Sequence, residues 1–528
     1  MTLFAAALLV LFASMCHAAP PAIQCTLGVR YALAPEGPLR FRPPVLVTNL
    51  TQSLANSTLS CDPYAIARTP ACPQATAAGS FWLNNTQEDC LFLNVFAPSA
   101  GSGSLPVAVF FYGGSFTSGS ISVPLYNGAA IAASQNVVVV TVNYRLGALG
   151  FLSLPALFKE SNTTGNWGVL DQISALMWVQ ANIATFGGDE TRVTIFGESA
   201  GGASVCALMT APAAEGLFQR AIMESGLCQD CNPLNVTTLL STAVGGALLC
   251  APSDVACFRA AKWQTIVGAQ NAGGAAQAAL DTPWAPTIDN AVLFEKPVNM
   301  IAAGNVIKSL KTVLIGTNLN ETNVFSLTSA AGRNMSLADL YHQLTTSFHI
   351  APAQAQKLIA LYMPSSGQTS GAFHATKSSL AFAAMLTDFV FTCVSQSVAS
   401  LLSQRGVDTY AYVFGRTPSC SFDTIPAALR PLLGAAHAFE LPFVFDVDPS
   451  IGKKCQPDQG DHDLSARIID YWGMVFTSGA PATSRAGGVP SWPKFDNVTR
   501  QSVFLDVPSD GIVSAYRAKF CVALGLFA

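Results

Sequence analysis

Short continuous runs of apolar and β-branched residues recur along the chain, and helical patterns separate them. The runs occupy residues 105–111, 137–142, 192–196, 311–316 and 408–414. Continuous runs of this length are typical of strands that are covered on both faces, as in a mostly parallel sheet. Residues 171–186 instead repeat apolar positions at helical spacing and end at Gly187-Gly188, a glycine stop. This alternation predicts an α/β fold with a mostly parallel central sheet flanked by helices.

Three further stretches are expected to surround this sheet. Residues 19–104 are rich in Pro, Ser, Thr and Asn and contain short extended runs, which indicates edge strands and long loops. The Ala- and Gly-rich stretch 235–280 and the helical stretch 336–405 are expected to form insertions over the sheet edge. Because the candidate catalytic residues described below extend from 114 to 437, we expect residues 19–528 to form a single domain.

The first segment of the chain has the pattern of a secretory signal. It is apolar for about a dozen residues, and Cys16-His17-Ala18 supplies a small-x-small cleavage site. The segment contains no Lys or Arg, so a short buried strand or helix is the alternative. No other stretch reaches the ~18 uninterrupted apolar residues that span a bilayer. We therefore expect residues 1–18 to be removed, and the mature protein to be secreted without an integral membrane segment.

The overall composition excludes two classes of protein. Of the 528 residues, 50% are apolar and only 11% are charged, so the chain is expected to fold rather than remain disordered. The net charge is −4 and like charges form no run, which argues against a nucleic-acid-binding surface. The sequons for N-glycosylation, which fit an exported protein, begin at Asn49, Asn56, Asn84, Asn162, Asn235, Asn320, Asn334 and Asn497.

The cysteines agree with export. There are 14, and in a chain with a signal segment they indicate disulfides formed in an oxidising compartment. Removal of Cys16 leaves an odd number, so at least one thiol is free, and Cys206 is the candidate because it lies in an apolar helical stretch. Cys228 and Cys231 have the spacing of a redox or zinc motif, but no second pair and no nearby histidine accompany them. Structural disulfides, with each other or with partners elsewhere, are the favoured interpretation.

A five-residue motif marks a candidate nucleophile. Gly197-Glu198-Ser199-Ala200-Gly201 follows an apolar strand and opens a helix of small residues. This is the context of the G-x-S-x-G nucleophile elbow, in which glycines permit a sharp turn that exposes the serine hydroxyl. The helix N-terminus adds a backbone donor and a positive dipole end, and both favour a developing oxyanion. The alternative is a plain turn from strand to helix.

An activated serine needs an adjacent base that a carboxylate orients. Of the six histidines, His17 leaves with the signal, and His462 is expected at a helix start beside an N-capping Asp. The histidines in the helical stretch, expected to be surface or packed residues, are His342, His349 and His374. His437 remains as the candidate base, in a loop of small residues.

The carboxylate is expected at the carboxyl end of a core strand, where the catalytic groups of open α/β sheets gather. Glu321 follows the run 311–316 and is the first candidate. Asp289 and Asp388 are its rivals. The residue pattern alone leaves the three open.

Longer blocks of sequence resemble the type-B carboxylesterase/lipase family, the cholinesterase-like branch of the α/β-hydrolases. The blocks are EDCLFLNV at 88–95, GNWGVLDQ at 165–172 with FGGD at 186–189, and VTIFGESAGG at 193–202. The resemblance covers roughly residues 25–521. It implies an α/β-hydrolase fold with large helical insertions over the active site, and a triad of Ser199, Glu321 and His437. Within the motifs, Glu321 stands five residues after Gly316, and His437 opens the pattern His-x-x-Glu-x-x-Phe.

The resemblance also implies an oxyanion hole. The reaction that it implies needs no metal or organic cofactor. Backbone N–H groups of Gly114, Ser115 and Ala200 take the three donor positions, and Ser115 stands where the family usually has a third glycine. Because the donor is a main-chain group, a small side chain should be tolerated there. The loss of one such donor typically costs about 10²–10³ in rate.

Structural features of the family can be carried over as well. The resemblance implies disulfides Cys72–Cys90, Cys250–Cys257 and Cys393–Cys521, and paired charges Arg40 with Glu88 and Arg145 with Asp171. The resemblance assigns no disulfide partners to six further cysteines, which are Cys25, Cys61, Cys228, Cys231, Cys420 and Cys455.

The function implied is that of a secreted serine carboxylic-ester hydrolase that forms an acyl-enzyme on Ser199. The expected partner is a small-molecule or lipid ester. A triglyceride-type lipase and a catalytically silent adhesion or structural protein on the same fold are the alternatives. Trp82 lies near the position of the choline-contacting tryptophan of cholinesterases, but its spacing is two residues short. A packed aromatic residue is therefore favoured there, and a cholinesterase is not predicted.

Overall fold

The computed structural model describes most of the chain. The described residues are 22–75, 83, 85–99, 103–274, 282–370, 373–420, 422, 425–448 and 455–526. The expected signal segment 1–18, Trp82 and the sequon asparagine Asn84 lie outside them.

An eleven-stranded sheet runs through the described residues. Its strands in chain order are β1 (Ile23–Arg30), β2 (Thr58–Leu59), β3 (Phe92–Pro98), β4 (Leu105–Phe111), β5 (Val138–Val142), β6 (Gly188–Glu198), β7 (Arg220–Glu224), β8 (Thr312–Asn318), β9 (Asp408–Phe414), β10 (Gln501–Leu505) and β11 (Gly511–Ser514). Their order across the sheet is β11-β10-β9-β8-β7-β6-β4-β5-β3-β1-β2. The strands from β10 to β5 are parallel, and antiparallel pairs form both edges. Two separate strand pairs are Asn232–Pro233 with Thr287–Ile288 and Gln368–Ser370 with Phe373–Ala375.

The strand predictions are confirmed with changes at their ends. β4 and β9 have the predicted bounds, whereas β6 begins four residues earlier than expected, at Gly188, and extends to Glu198. Its first residues are polar and partly exposed, so the apolar pattern did not include them. The expected edge strands of the N-terminal region are β1, β2 and β3.

Helices flank the sheet. The helices that contact its strands are Leu50–Leu54, Ala129–Gln135, Trp167–Asn182, Ala200–Thr210, Cys393–Gln404 and Gln459–Thr477. The others are Pro63–Ile66, Gly147–Phe151, Pro155–Ser161, Leu234–Leu248, Val255–Ala260, Trp263–Ala269, Pro297–Ala302, Asn323–Ser326, Ala330–Arg333, Leu337–His342, Pro352–Tyr362, Lys377–Leu386, Arg430–Leu433, Leu441–Phe445 and Ala518–Ala523. The helix predicted over 171–186 begins at Trp167, and its last turn, Ile183–Phe186, is a 3₁₀ helix.

The stretch 336–405, expected to be an insertion, has two roles. Its first helices form a small hydrophobic core separate from the main one, with Leu344, Leu358 and Met385 buried. Its last helix packs against β8 and β9, so the prediction of an insertion was wrong for residues 393–404. The sequence does not reveal where the insertion ends, because Lys377–Gln404 is one continuous helical segment with a π-helical turn at Thr387–Thr392. That segment is long and apolar enough to cross a membrane, but most of it is buried inside the protein.

The charge pairs implied by the resemblance are present. Arg40 donates from Nε to Oε1 of Glu88 at 2.7 Å, and Arg145 binds both carboxylate oxygens of Asp171 at 2.8 Å. All four side chains are buried.

Six disulfides join the described cysteines. They are Cys25–Cys61, Cys72–Cys90, Cys206–Cys228, Cys250–Cys257, Cys393–Cys521 and Cys420–Cys455, and they include the three pairs implied by the resemblance. The expectation that Cys206 is free was wrong. The helix after β6 brings Cys206 against Cys228, which follows the neighbouring strand β7, and this proximity across the sheet is not visible along the sequence. The free thiol among the described residues is Cys231, and burial raises its pKa to about 12.

The Cys206–Cys228 disulfide should contribute strongly to stability. Replacing both cysteines with alanine is expected to lower the free energy of unfolding by about 3 kcal/mol, because the bond closes a loop of 22 residues in the unfolded chain. Denaturant unfolding would measure the change. The Cys231→Ala variant is the matched control, since it removes a buried sulfur but no cross-link, and should cost about 1 kcal/mol. Equal losses in both variants would contradict the pairing.

Candidate active site

Ser199 lies at the sharp turn between β6 and the helix Ala200–Thr210. Its backbone has φ 58° and ψ −122°, a conformation that non-glycine residues rarely adopt. Its N–H donates to the carbonyl of Glu224 at 2.9 Å, which ties the turn to the end of β7. Strained backbone of this kind persists where the surrounding structure holds it, and it is frequent at active sites.

Two glycines of the motif are required by close contacts at this turn. A Cβ atom on Gly201 would lie 1.9 Å from the carbonyl oxygen of Phe111 at the end of β4. A Cβ atom on Gly197 would lie 2.6 Å from the backbone of Gly201 itself. Any side chain at these positions would therefore push the helix and the serine away from the sheet.

His437 and Glu321 form a pair in which the carboxylate is fully buried and the imidazole keeps a small exposed fraction. Nδ1 of His437 lies 2.7 Å from Oε2 of Glu321, and the backbone N–H of His437 donates to the Glu321 carbonyl at 3.1 Å. The other oxygen of the Glu321 carboxylate accepts from Oγ of Ser225 at 2.6 Å and from the N–H of Asn318 at 2.7 Å. The carboxylate is thus fully hydrogen-bonded, as a buried charge must be. An acceptor at Nδ1 holds a proton there, so the lone pair of a neutral imidazole at this position lies on Nε2.

The Nε2 atom of His437 lies beside the residue that precedes the serine. It is 3.2 Å from Oε1 of Glu198. In the described part of the chain the hydroxyl of Ser199 makes no hydrogen bond. In free enzymes the hydrogen bond between nucleophile and base is often formed only when substrate is present. The rings of Phe325 and Phe391 pack 5.3 and 5.0 Å from the imidazole.

The loop that carries Gly114 and Ser115 packs directly on the serine turn. A Cβ atom on Gly113 would lie 2.8 Å from Cβ of Ser199 and 2.7 Å from Oε2 of Glu198. Both Gly114 and Ser115 have positive φ, at 112° and 53°. No hydrogen bond within the described residues engages the N–H groups of Gly114, Ser115 or Ala200. These donors are therefore free to bind an oxyanion beside the serine.

The register of the sheet places a second set of buried groups next to this site. Glu198 at the end of β6 and Glu224 at the end of β7 are direct partners in the parallel ladder, so their side chains lie next to each other. The next partners across the sheet are Gly316 and Tyr412. A Cβ atom on Gly316 would lie 2.2 Å from the Tyr412 ring, so the ring covers the glycine. Trp472 donates from its indole nitrogen to Glu224 at 2.7 Å.

Burial and mutual repulsion shift the pKa values of these groups. Burial, with repulsion from Glu321, raises the pKa of Glu198 to about 7, although His437 opposes the shift. Burial raises the pKa of Glu224 to about 8. Burial of the imidazole disfavours its charged form, but the negative charges of Glu198 and Glu321 outweigh burial and raise the pKa of His437 to about 9.

A comparison with known proteins decides the family. The family model described as the carboxylesterase family matches residues 17–522, nearly the whole chain. The chain belongs to the carboxylesterase family. The esterase is accordingly a carboxylic ester hydrolase with an α/β-hydrolase fold, as its sequence predicted.

Individual relatives match over most of their length. The esterase is 31% identical over 522 residues to cocaine esterase of Homo sapiens, covering 94% of this chain and 86% of that protein. It is 33% identical over 494 residues to para-nitrobenzyl esterase of Bacillus subtilis (strain 168), covering 91% and 90%. A solved structure of a thermophilic PNB esterase superposes with a TM-score of 0.76 at 30% identity, covering 96% of both chains.

The alternative candidates for the acid and the base lie away from Ser199 in the esterase. Asp289 accepts from Thr163 at 2.6 Å and from backbone N–H groups of its own turn. Asp388 binds the guanidinium of Arg517 and the hydroxyl of Tyr362. The exposed histidines are His342, His349, His374 and His462. The helix that contains His462 is capped by the side chain of Asp458 rather than by an aspartate next to the histidine.

Sequence reasoning missed several groups at the site. Ser225 and Asn318 both bind Glu321, but each is a common polar residue with no motif around it. Gln74 supports the loop that carries Gly114 and Ser115 by exchanging two hydrogen bonds with the backbone of Gly119, at 2.8 and 2.9 Å. Glu440 stood inside the histidine motif, three residues after His437, and its fixed spacing was the signal that could have identified it.

The charge of Glu198 should set the acidic limb of the pH profile. A general base at His437 needs a neutral imidazole, so we expect activity to be lost as pH falls below the pKa of His437. The Glu198→Gln variant lacks the carboxylate charge that stabilises the protonated form of His437. The acidic limb of the pH profile of kcat/KM should therefore move about one pH unit lower. A pH series with a p-nitrophenyl ester measures the limb. An unchanged or alkaline-shifted limb would contradict this assignment, and Glu295→Gln at the exposed surface is the control.

Proposed function

We propose that the esterase is a secreted serine hydrolase that cleaves carboxylic esters through an acyl-enzyme on Ser199. In the first step Oγ of Ser199 attacks the ester carbonyl carbon while Nε2 of His437 takes the hydroxyl proton. The tetrahedral intermediate then collapses, the bond to the alcohol oxygen breaks, and His437 returns the proton to the leaving alcohol. A water molecule, deprotonated by the same imidazole, attacks the acyl-serine and releases the carboxylic acid.

The observation that supports the proposal is the pairing of His437 with the buried carboxylate of Glu321 next to the strained serine turn. The 2.7 Å contact at Nδ1 holds the imidazole in the tautomer that a general base needs. When His437 takes a proton, the carboxylate of Glu321 stabilises the imidazolium that results. The three residues come from segments far apart in sequence, and each follows a parallel strand or packs against the end of one.

Three backbone donors support the anionic intermediate. The N–H groups of Gly114, Ser115 and Ala200 are unengaged in the described residues, and they border the serine from two sides of the turn. Because they belong to rigid backbone, they need no reorganisation when charge develops on the carbonyl oxygen. The exposed side chain of Ser115 lies outside the buried core, so it leaves the donor function of its main chain intact.

Labelling with a fluorophosphonate tests the proposal directly. The probe forms a phosphonyl ester with an activated serine only, so we expect labelling of the folded esterase at the peptide that contains Ser199 and none after heat denaturation. A panel of p-nitrophenyl esters with short, medium and long acyl groups would then define the acyl preference. A folded protein that neither reacts with the probe nor hydrolyses any ester would support the catalytically silent alternative.

Export of the mature chain 19–528 as a single domain is part of the proposal, and the six disulfides support an oxidising compartment. The sequons differ in their suitability for modification. The described sequon asparagines are exposed except for Asn320, whose side chain accepts from the N–H of Ala435 next to the site.

We therefore expect protein secreted from a eukaryotic host to carry glycans at exposed sequons but none at Asn320. Enzymatic deglycosylation in ¹⁸O-labelled water, followed by peptide mapping with mass spectrometry, would locate the modified residues. Asn334, an exposed sequon in the same part of the chain, is the matched comparison. A glycan found at Asn320 in active protein would contradict the described packing of this side chain.

A further inference from the structure

Asn318 contacts Glu321 and the residue that precedes His437. Its backbone N–H donates to Oε1 of Glu321 at 2.7 Å. Its side-chain amide donates to the carbonyl of Ala436, the residue before His437, at 2.7 Å. The same amide nitrogen also donates to the carboxyl group of Glu440. One fully buried residue thus connects Glu321, through its backbone, with the loop of His437 and the carboxyl group of Glu440, through its side chain.

Glu440 holds the other side of this connection. It lies three residues after His437 at the start of the helix Leu441–Phe445, and it is 1% exposed. Its backbone carbonyl accepts from the N–H groups of Phe443 and Val444, which fixes the turn below the histidine loop. Within the described residues its Oε1 atom has no hydrogen-bond partner, so its contact through Oε2 with Asn318 is the one that anchors the side chain.

We propose that Glu440 and Asn318 are positioning residues of the esterase, which together hold His437 and Glu321 in register for proton transfer. The amide of Asn318 has two hydrogens, and the contacts to Ala436 and Glu440 use both. With both hydrogens engaged, the amide plane is fixed, and so is the backbone N–H that binds Glu321. The inference rests on the proposed function, because it assigns these residues to the same reaction.

The surroundings of Glu440 favour a neutral carboxyl group there. The titratable groups that face it are Glu198, Glu224, Glu321, His437 and Tyr412. Burial, together with repulsion from Glu198, Glu321 and Glu224, raises the pKa of Glu440 well above its ordinary value. A neutral carboxyl group can still accept the hydrogen bond from Asn318 through its carbonyl oxygen. The role of Glu440 is therefore to accept this bond and not to supply charge.

This distinction makes the proposal testable with two substitutions at one position. In Glu440→Gln the amide oxygen can accept the same hydrogen bond, so kcat should remain within about threefold of the wild type. In Glu440→Leu the acceptor is lost and the amide of Asn318 can turn, so kcat should fall about 10²-fold with little change in KM. The rate of fluorophosphonate labelling should fall in parallel, and Asn318→Ala should resemble Glu440→Leu.

A double variant and a stability control separate positioning from general destabilisation. Because the two residues act through one hydrogen bond, Asn318→Ala combined with Glu440→Leu should be no slower than the slower single variant. Gln396→Leu is the matched control, since it removes a buried amide that binds the carbonyl of Tyr516, away from the site. It should lower the unfolding temperature without lowering kcat.

Two results would overturn the inference. A folded Glu440→Leu variant with wild-type kcat would show that no positioning is needed. Equal losses in Glu440→Gln and Glu440→Leu would show that the ionisable group, and not the hydrogen bond, matters. The wild-type protein separates this failure from that of the proposed function. If wild-type Ser199 is labelled and the variants keep wild-type kcat, only the inference is contradicted. If the wild type is neither labelled nor active, the proposed function is contradicted.

Discussion

Replacing Ser199 with alanine is expected to lower kcat/KM for a p-nitrophenyl ester by at least about 10⁴-fold. The substitution removes the atom on which the proposed acyl-enzyme forms, while the proposed oxyanion donors and the imidazole remain. A small residual rate over the uncatalysed reaction should persist, because those groups still stabilise attack by water. Initial rates at several substrate concentrations, with the enzyme in large excess over any contaminating activity, would measure the loss.

A second serine in the same helix provides the control for this variant. Ser204 is buried, accepts from the side chain of Gln172 at 2.8 Å and donates to the carbonyl of Ala200. Ser204→Ala therefore perturbs the helix behind the nucleophile but removes no reacting atom, and kcat should change by less than about tenfold. If Ser199→Ala kept wild-type activity in a folded protein, covalent catalysis by this residue would be refuted.

The Glu321→Gln variant is expected to lose about 10³–10⁴-fold in kcat. A glutamine amide can present its NH₂ group to Nδ1 of His437, which favours the tautomer with the proton on Nε2, where it cannot accept a proton from the serine. The amide also fails to stabilise the imidazolium. Substrate binding does not involve Glu321, so KM should change little, and steady-state kinetics at saturating ester would show the loss in kcat.

The rival acid Asp289 supplies the comparison for Glu321→Gln. Asp289→Asn removes a buried charge of equal sign from a site that binds Thr163 and its own turn. It is expected to lower the unfolding temperature but to keep kcat within about fivefold, since its contacts lie outside the active site. A larger loss of kcat in Asp289→Asn than in Glu321→Gln would indicate that Asp289, and not Glu321, is the acid of the triad.

Features that depend on local pattern were predictable from the sequence. The central strands appear as apolar runs because both of their faces are buried, and β4 and β9 therefore have the predicted bounds. The serine turn was visible because its glycines are demanded by close backbone contacts. The assignment of Glu321 over Asp289 and Asp388 depended on the resemblance to a family, because all three follow plausible strands or helices.

Features that depend on alignment between distant segments were not predictable. The pairing of Glu198 with Glu224 follows from strand register, which sequence spacing does not encode. Cys206 lies in an apolar helical pattern that is the same whether its sulfur is free or bonded to Cys228. The end of the insertion before residue 393 was hidden because a continuous helix crosses the boundary.

The raised pKa values of Glu224 and His437 also affect the proton balance of folding. The pKa of Glu224 is raised from 4.5 to about 8, and that of His437 from 6.5 to about 9, so the native protein binds more protons than the unfolded chain between these values. Unfolding at neutral pH therefore releases protons, and the calorimetric enthalpy should vary with the ionisation heat of the buffer. By the same linkage, the contribution of these two groups to stability declines as pH rises from about 4.5 to 9. These two groups thus stabilise the folded state least in the pH range in which the imidazole of His437 is neutral.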